Sequence, residues 1–411
     1  MQPVRGTRDI MPEETRRQRR VTDIACELAA RYGYLEMSTP IFEFTEVFRR
    51  PLGETSDVVS KEMYTFTDRG GEELTLRPEA TAAVCRAFLS EGLTQQLPVK
   101  LFCHGPMFRY DRPQKGRWRQ FHQINVELLG IPEPVGDVEI IALAAHVIEE
   151  LGVLGHTTLE LNTLGDPASR AAYRDVLVDY FSDHRDQLSP DSQERLARNP
   201  LRILDSKDKG DRKISAGAPA LSDYLNAESV DFFAKIKQDL DALGIAYQLN
   251  PRLVRGLDYY THTIFEFTTT ALGAQGSVLG GGRYDSLIEL LGGPATPGVG
   301  WAGGIERLAM LLDVTPAAAP PIAVVPIGPA AQDAALSLTQ NLRRAGYAVD
   351  LGFSGNTGKR MKRANKLSAR AAVLLGEDEL AQNAATVRDL ESGEQELVPL
   401  DALSEYLAKF R

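Results

Sequence analysis

The segment VTPAAAP, which ends at Pro320 and runs into Pro321, is the feature that most limits how this chain can fold. Adjacent prolines and alanines favour extended chain that packs poorly, so a domain boundary is expected near residue 318. Beyond it, IAVVPIG, a helix to Arg344, YAVDLGF, a helix over 358–368, AAVLLG and a last helix over 400–410 alternate strand and helix. That order predicts a small α/β domain over 319–411. Before the linker the order is α+β. An amphipathic helix runs from Arg16 to Tyr32, with Val21, Ile24, Ala25, Leu28 and Ala29 at helical spacing and Gly33 as its stop. Short strands follow at Met63–Thr67 and Glu73–Leu76, then a helix at Glu79–Leu89, strands at Val99–His104 and Gln123–Leu129, and a helix at Val138–Leu151. Residues 168–235 turn polar and helical, with segments at Tyr173–Leu188, Asp191–Ala197 and Leu221–Leu240, and read as a helical insertion. A strand at Thr263–Thr269 and a glycine-rich stretch over 273–304 lead into a helix at Ile305–Asp313.

Composition excludes several classes. The 411 residues carry 43% hydrophobic side chains, enough for large cores, so a wholly disordered chain is excluded. A net charge of -10 gives no global basic field, and any polyanion must meet local patches. Cys26, Cys85 and Cys103 are odd in number and match neither a disulfide framework nor a zinc pattern, so a cytoplasmic location is expected and no metal-ligand set is assigned. The N-terminus lacks the apolar core of a signal peptide, and no stretch approaches 18 consecutive apolar residues, so no membrane partner is expected.

Gly298, Gly300 and Gly303 fit the spacing of a dinucleotide fingerprint, but PATP before them is no strand and no acid lies about 20 residues on to hold a ribose. They are read instead as permitting tight turns or close packing. More informative is FRYDRPQKGRWRQFHQ, Phe108–Gln123, which packs Arg109, Arg112, Lys115, Arg117 and Arg119 around a single acid, Asp111. Guanidinium groups fork onto phosphate oxygens and Phe121 can stack a base, so this loop suits a nucleotide triphosphate.

This loop resembles motif 2 of the class II aminoacyl-tRNA synthetases, and RGLDYYT at Arg255–Thr261 with GGGRYD at Gly280–Asp285 resembles two signatures of the histidyl-tRNA synthetase family. GVGWAGGIERL, Gly298–Leu308, is similar to motif 3, and the text around Thr39 and Pro40 to the motif 1 dimerisation element. The resemblance implies a class II antiparallel-sheet catalytic core with a helical insertion, an anticodon-binding α/β domain and a homodimer. Its partners would be ATP with Mg2+, L-histidine and tRNA(His). Arg109 and Arg255 are then expected on the α-phosphate and Arg307 on the γ-phosphate, with Arg307 covering adenine opposite Phe121, Arg117 or Arg119 on the tail, and Asp111 reading the adenine amino group. Glu79 and Thr81, with Ala80 between them, and Gln123 are expected around the α-ammonium of histidine, and Arg109 and Arg255 are expected to contact histidine as well. Glu127 and Tyr260 would meet the imidazole, with Tyr259 lining the pocket. Arg112, Gln114 and Lys115 are expected near the tRNA acceptor end. Lys359, Arg360, Lys362 and Arg363 belong to KRMKRANKLSAR, a run with six cations and no acid, and are expected on tRNA phosphates.

The text departs from the usual family pattern at Tyr110 and Asp111, which replace His-Glu, at Trp118, which replaces tyrosine, and at Ala80, which replaces glycine. Two other readings compete. A non-catalytic regulatory subunit of ATP phosphoribosyltransferase would lose catalytic arginines and usually the last domain. A sister synthetase for threonine, proline or glycine would lack RGLDYYT and GGGRYD.

Overall fold

The computed structural model describes residues 1–53, 56, 58–206, 208–273 and 276–411 and divides into two compact units, Met1–Pro316 and Ala317–Arg411. In the first, α1 (Pro12–Arg31) opens the chain and β1 (Leu35–Glu36), β2 (Phe42–Phe44), α2 (Glu46–Leu52), β3 (Tyr64–Thr67) and β4 (Glu73–Leu76) follow. Next come α3 (Thr81–Ser90), the long strands β5 (Val99–Phe108) and β6 (Gln120–Leu129), α4 (Pro134–Glu150) and β7 (Thr158–Thr163). Four helices, α5 (Pro167–Asp183), α6 (Pro190–Arg198), α7 (Lys209–Ser215) and α8 (Ala227–Ala242), precede β8 (Gln248–Leu249) and β9 (Thr261–Thr268). The unit closes with β10 (Ser277–Arg283), α9 (Leu287–Leu290), β11 (Gly298–Gly304) and α10 (Ile305–Leu311).

An eight-stranded sheet runs in the order β1-β5-β6-β11-β10-β9-β7-β8. It is antiparallel from β5 to β7, while β1 and β8 join its two edges in parallel, so the sheet is mixed where an antiparallel one was expected. Strand alternation sorts its two faces. Ile124, Val126, Leu128, Phe265, Phe267, Leu279 and Trp301 point into one core with α1, α4, α8 and α10. Tyr260, Ile264 and Tyr284 join a second core built from α2, α3 and the helices α5 and α6. The expected single helix over Leu221–Leu240 is two elements: a turn at Leu221–Tyr224, then α8, whose start is set by the Asn226 side chain accepting the Ser229 amide at 2.9 Å. Ile236 and Leu240 bury α8 in the first core, whereas α5 and α6 pack in the second.

The glycine-rich stretch over 273–304 holds β10 and β11, two central strands. Local propensity disfavours glycine in strands, and here packing overrides it. A Cβ on Gly281 would fall on the carbonyl oxygen of Gly300 across the ladder. Asp211 ties the insertion together, accepting the Ser189 amide at 2.8 Å and the hydroxyls of Ser189, Ser192 and Ser206 at 2.7, 2.6 and 2.6 Å. Burial acts to raise its carboxyl, but those bonds win and hold it down at about 2.

In the second unit β12 (Ile322–Pro326), α11 (Gln332–Arg344), β13 (Val349–Leu351), α12 (Thr357–Lys366), β14 (Ala371–Leu375), α13 (Glu377–Ala381), β15 (Ala384–Asp389), β16 (Gln395–Pro399) and α14 (Leu403–Tyr406) build a five-stranded sheet, ordered β13-β12-β14-β15-β16. The first three of these strands are parallel and the last two antiparallel. Ile322 and Val324 face a core with Ala335, Leu342, Leu403 and Leu407, while Ala323, Val325 and Ala372 face Ala364 of α12. Among the described residues no helix is long and apolar enough to cross a membrane.

Arg283 and Asp137, both fully buried, pair between β10 and α4, and Arg283 also donates to Ile131 O at 3.0 Å. Removing one partner of a buried ion pair leaves an uncompensated charge at a cost of about 3–5 kcal/mol. Asp137→Ala should therefore lower the urea midpoint of the first unit strongly. Tryptophan fluorescence checks this, because both tryptophans of the chain, Trp118 and Trp301, lie in that unit.

Candidate active site

Strand alternation places Phe121, Gln123, Asn125 and Glu127 of β6 on the sheet face opposite the first core, and Glu266 of β9 shares that face with Ile264. On the two strands between them the same face carries Gly280, Gly282, Gly298, Gly300 and Gly304. A Cβ at Gly280 would lie 2.6 Å from the Arg255 guanidinium, one at Gly282 2.9 Å from the Tyr260 ring, and one at Gly300 on the Glu127 carboxylate. The glycines are a flat floor, and the functional side chains occupy the space above it.

A cleft of about 310 Å³ opens over this floor, and Arg109, Arg117, Phe121, Gln123, Arg255 and Arg307 reach its wall. Arg109 donates through Nε to Pro78 O at 2.8 Å, and its guanidinium lies 5.3 Å from the Phe121 ring centre. Arg307, at the start of α10, donates to Gly116 O at 3.0 Å and Ser277 O at 2.6 Å, tying the hairpin loop to β10. Burial, then the neighbouring Arg117 and Arg109, lower the Arg307 guanidinium to about 10; burial lowers Arg109 as well. Arg255 differs. Burial acts to lower it, but Glu266, with which it forms an ion pair, and Tyr260 override that and hold it above its ordinary value. Asp111 pairs with Arg117 at 2.9 Å.

Beside the cleft lies a buried cluster. Glu79 accepts the amides of Thr81 at 2.7 Å and Ala82 at 2.9 Å, capping α3, with Ala80 fully buried between. Glu127 accepts the Thr81 hydroxyl at 2.7 Å and the Tyr284 hydroxyl on its other oxygen. Tyr259 packs against Tyr260 at 4.6 Å and edge-on to Tyr284 at 5.7 Å, and Arg255 lies 5.6 Å from the Tyr260 ring centre. The Gln123 Oε1 is buried without a hydrogen-bond partner, an acceptor left for a donor. The insertion holds the loop that carries these tyrosines: Arg170 donates to Asp258 O and Tyr260 O, both at 2.9 Å, and Arg202 to Arg255 O at 3.0 Å.

The fold therefore brings together Arg109, Asp111, Arg117, Phe121, Gln123, Arg255 and Arg307 in the cleft, and Glu79, Ala80, Thr81, Glu127, Tyr259 and Tyr260 in the adjoining cluster. Arg119 is a correction. Its guanidinium lies over Tyr110 at 3.7 Å and its Nε donates to Asp111 O at 3.2 Å, away from the cleft wall, because the Tyr110 ring and the Gly6 turn hold it there just before β6 begins. Arg112, Gln114 and Lys115 are exposed at the hairpin tip. Arg360 is a second correction: it is buried and donates to Pro326 O, because it stands one turn before Ala364 on the sheet-facing side of α12. Lys359, Lys362 and Arg363 are exposed, and Arg363 pairs with Asp350 at 2.7 Å. Sequence reasoning missed Tyr284, Glu266 and Glu306, which accepts the His122 amide at 2.9 Å and joins β6 to α10. A lone carboxylate in the apolar run TIFEF was the available signal for Glu266.

The family model of histidyl-tRNA synthetase matches residues 6–308, and that of an anticodon binding domain matches 321–410. A histidine--tRNA ligase of Rhodospirillum rubrum is 60% identical over 411 residues, covering 100% of this chain and 99% of its own. The crystal structure of apo S. aureus histidyl-tRNA synthetase superposes with a TM-score of 0.83 at 37% identity, covering 99% of each chain. An ATP phosphoribosyltransferase regulatory subunit/histidyl-tRNA synthetase from Bacillus halodurans, 22% identical with a TM-score of 0.66 over 92% of this chain and 98% of its own, shares the fold. A strand-built cleft walled by arginines, on a mixed sheet of this order, defines a class II aminoacyl-tRNA synthetase catalytic unit. The chain belongs to the histidyl-tRNA synthetase family.

Burial raises the Glu127 carboxyl from its ordinary 4.5 to about 8, against the lowering effect of Tyr284 and Thr81. A folded-state pKa above the unfolded one gives stability that is full below about 4.5 and is lost as pH rises through about 8. Glu127→Gln removes this titration. The melting temperature of the ligand-free wild type should therefore fall relative to the variant between pH 5 and pH 8, roughly the interval between the two pKa values, and parallel melting curves over it would remove the assignment.

Proposed function

We propose that this cleft joins histidine to ATP as histidyl-adenylate and that the histidine is then transferred to the 3′ end of tRNA(His). The observation that carries the reading is the convergence of Arg109, Arg255 and Arg307 on one cleft that abuts a buried cluster holding Glu127 and Tyr260. Histidine--tRNA ligation, with ATP consumed, is the activity that goes with the family. A regulatory-subunit role is disfavoured, since the catalytic arginines and the anticodon-type domain are both present and a relative 60% identical over the whole chain is a ligase.

The amino-acid carboxylate is already ionised at neutral pH, so its attack on the α-phosphorus with departure of pyrophosphate needs no general base. The rate must come from alignment and from stabilising charge on the in-line phosphoryl oxygens. Arg109 and Arg255 supply that charge from two sides, and Arg307 holds the γ-phosphate, with Phe121 and Arg307 enclosing the adenine. Arg117 steadies the tail while paired to Asp111, whose carboxylate reads the adenine amino group. An anion relieves the mutual repulsion that lowers Arg307. For histidine, the vacant Gln123 Oε1 takes the α-ammonium with Glu79 and Thr81, and Glu127 and Tyr260 meet the two ring nitrogens. A site built from buried polar groups rejects analogues that leave those groups unpaired.

Among the described residues no group of three or more His, Cys, Asp or Glu side chains could hold a metal, and the cleft carboxylates Asp111 and Glu266 are engaged by arginines. Mg2+ is expected with ATP, where it would offset charge on the phosphates. The second unit binds the anticodon, with Lys359, Lys362 and Arg363 offered to phosphates, while Arg112, Gln114 and Lys115 meet the acceptor end. Phe44 and Phe66, exposed on either side of Leu74 in the three-stranded sheet, form an apolar face suited to a two-fold homodimer. Three unpaired cysteines suit a reducing cytoplasm.

Histidine-dependent ATP–pyrophosphate exchange across all twenty amino acids tests the reading: exchange with histidine alone is expected, and histidine binding without exchange overturns catalysis. Arg255→Ala should slow single-turnover adenylate formation about 100- to 1,000-fold, the range for loss of one transition-state charge contact, with histidine affinity little changed.

A further inference from the structure

The segment ahead of α1 has no part in the reading above, yet it is built onto the hairpin. Thr7 closes a turn by donating its amide to Val4 O at 2.8 Å and its hydroxyl to the same oxygen at 2.7 Å. Gly6, at φ 88°, accepts the Arg119 amide at 2.8 Å, and a Cβ there would lie 2.7 Å from Arg119 Cδ. Arg8 follows. Its guanidinium carbon stands 3.9 Å from the centre of the Trp118 ring, and its two terminal nitrogens fork onto the carboxylate of Glu14 in the first turn of α1. Trp118 is part of the cleft wall.

The chain of contacts has one rigid end. Helix α1 is anchored in the first core by Val21, Ile24 and Leu28, so Glu14 is fixed, and its fork fixes the plane of the Arg8 guanidinium. A stacked cation in turn restricts the tryptophan ring, by attraction to its face. The tip of the same hairpin, Arg112 to Lys115, is exposed, and a loop that must be ordered on binding loses affinity to that ordering.

We propose that the N-terminal strap, through Arg8, is a positioning device for the known reaction: it transmits the rigidity of α1 to Trp118 and so presets the nucleotide side of the cleft. Arg8 touches no substrate and acts only through Trp118. The inference rests on the reading that this cleft takes ATP.

The test is steady-state histidine-dependent ATP–pyrophosphate exchange by the full chain, comparing wild type with Arg8→Ala, Arg8→Lys, Trp118→Ala and the Arg8→Ala/Trp118→Ala double variant. Arg8→Ala should raise KM for ATP about three- to tenfold, the scale of one partly buried cation–π contact, and leave KM for histidine within about twofold. Arg8→Lys, which keeps the cation but not the fork, should recover part of the loss. In the Trp118→Ala background Arg8→Ala should add nothing further. An unchanged KM for ATP, an equal rise in both KM values, or additive effects in the double variant overturns the inference while leaving the ATP reading in place. Absence of exchange by the wild type overturns both.

Discussion

Gly280, Gly282, Gly298, Gly300 and Gly304 share one face of two adjacent strands with Ala302, and the site exists because these positions carry nothing longer than a methyl group. Glu127, Tyr260 and Arg255 lie where a Cβ on this floor would collide with them. The opposite face of the same strands carries Trp301, Val299 and Leu279, which bury against the helices. One pair of strands thus solves two problems at once: the back face supplies core, and the front face supplies room. The spacing that imitates a dinucleotide fingerprint belongs to this arrangement, in which the glycines admit protein side chains.

Above the floor the charges are arranged in two ways. Arg255 is paired with Glu266 and locked in place with its charge retained, the insertion gripping its carbonyl through Arg202. Arg109, Arg117 and Arg307 instead crowd one another, and the strain falls on Arg307, lowered to about 10 by burial and by its neighbours. Such a cluster is held apart by its anchors to Pro78, Asp111, Gly116 and Ser277, so its field is preorganised before an anion arrives. The neighbouring cluster does the reverse. There a carboxyl group, Glu127, is kept from water, with a tyrosine and a threonine hydroxyl as its partners.

Much of this was legible in the chain. The linker before Pro321, the cationic hairpin at Phe108–Gln123 and the blocks RGLDYYT and GGGRYD are local text, because a turn, a charge cluster or a tight glycine packing must be written with particular residues in order. Tyr284 was not legible, since its hydroxyl reaches Glu127 from 157 residues away and nothing local marks that contact. Arg119 and Arg360 were misplaced for a common reason. Charge alone suggested a phosphate partner, whereas stacking on Tyr110 in one case and helix phase in the other turned the side chain elsewhere.

The sequence by itself determined the two-unit division, the family, and the chemical types assembled for the reaction, because these reside in composition and short motifs that survive without knowledge of contacts. The tertiary structure alone decided that glycine-rich text would form central strands, that α8 would leave the insertion to join the back layer, and which cations face the cleft. Those outcomes depend on which distant backbone approaches within van der Waals range, and that is a property of packing that no single segment encodes.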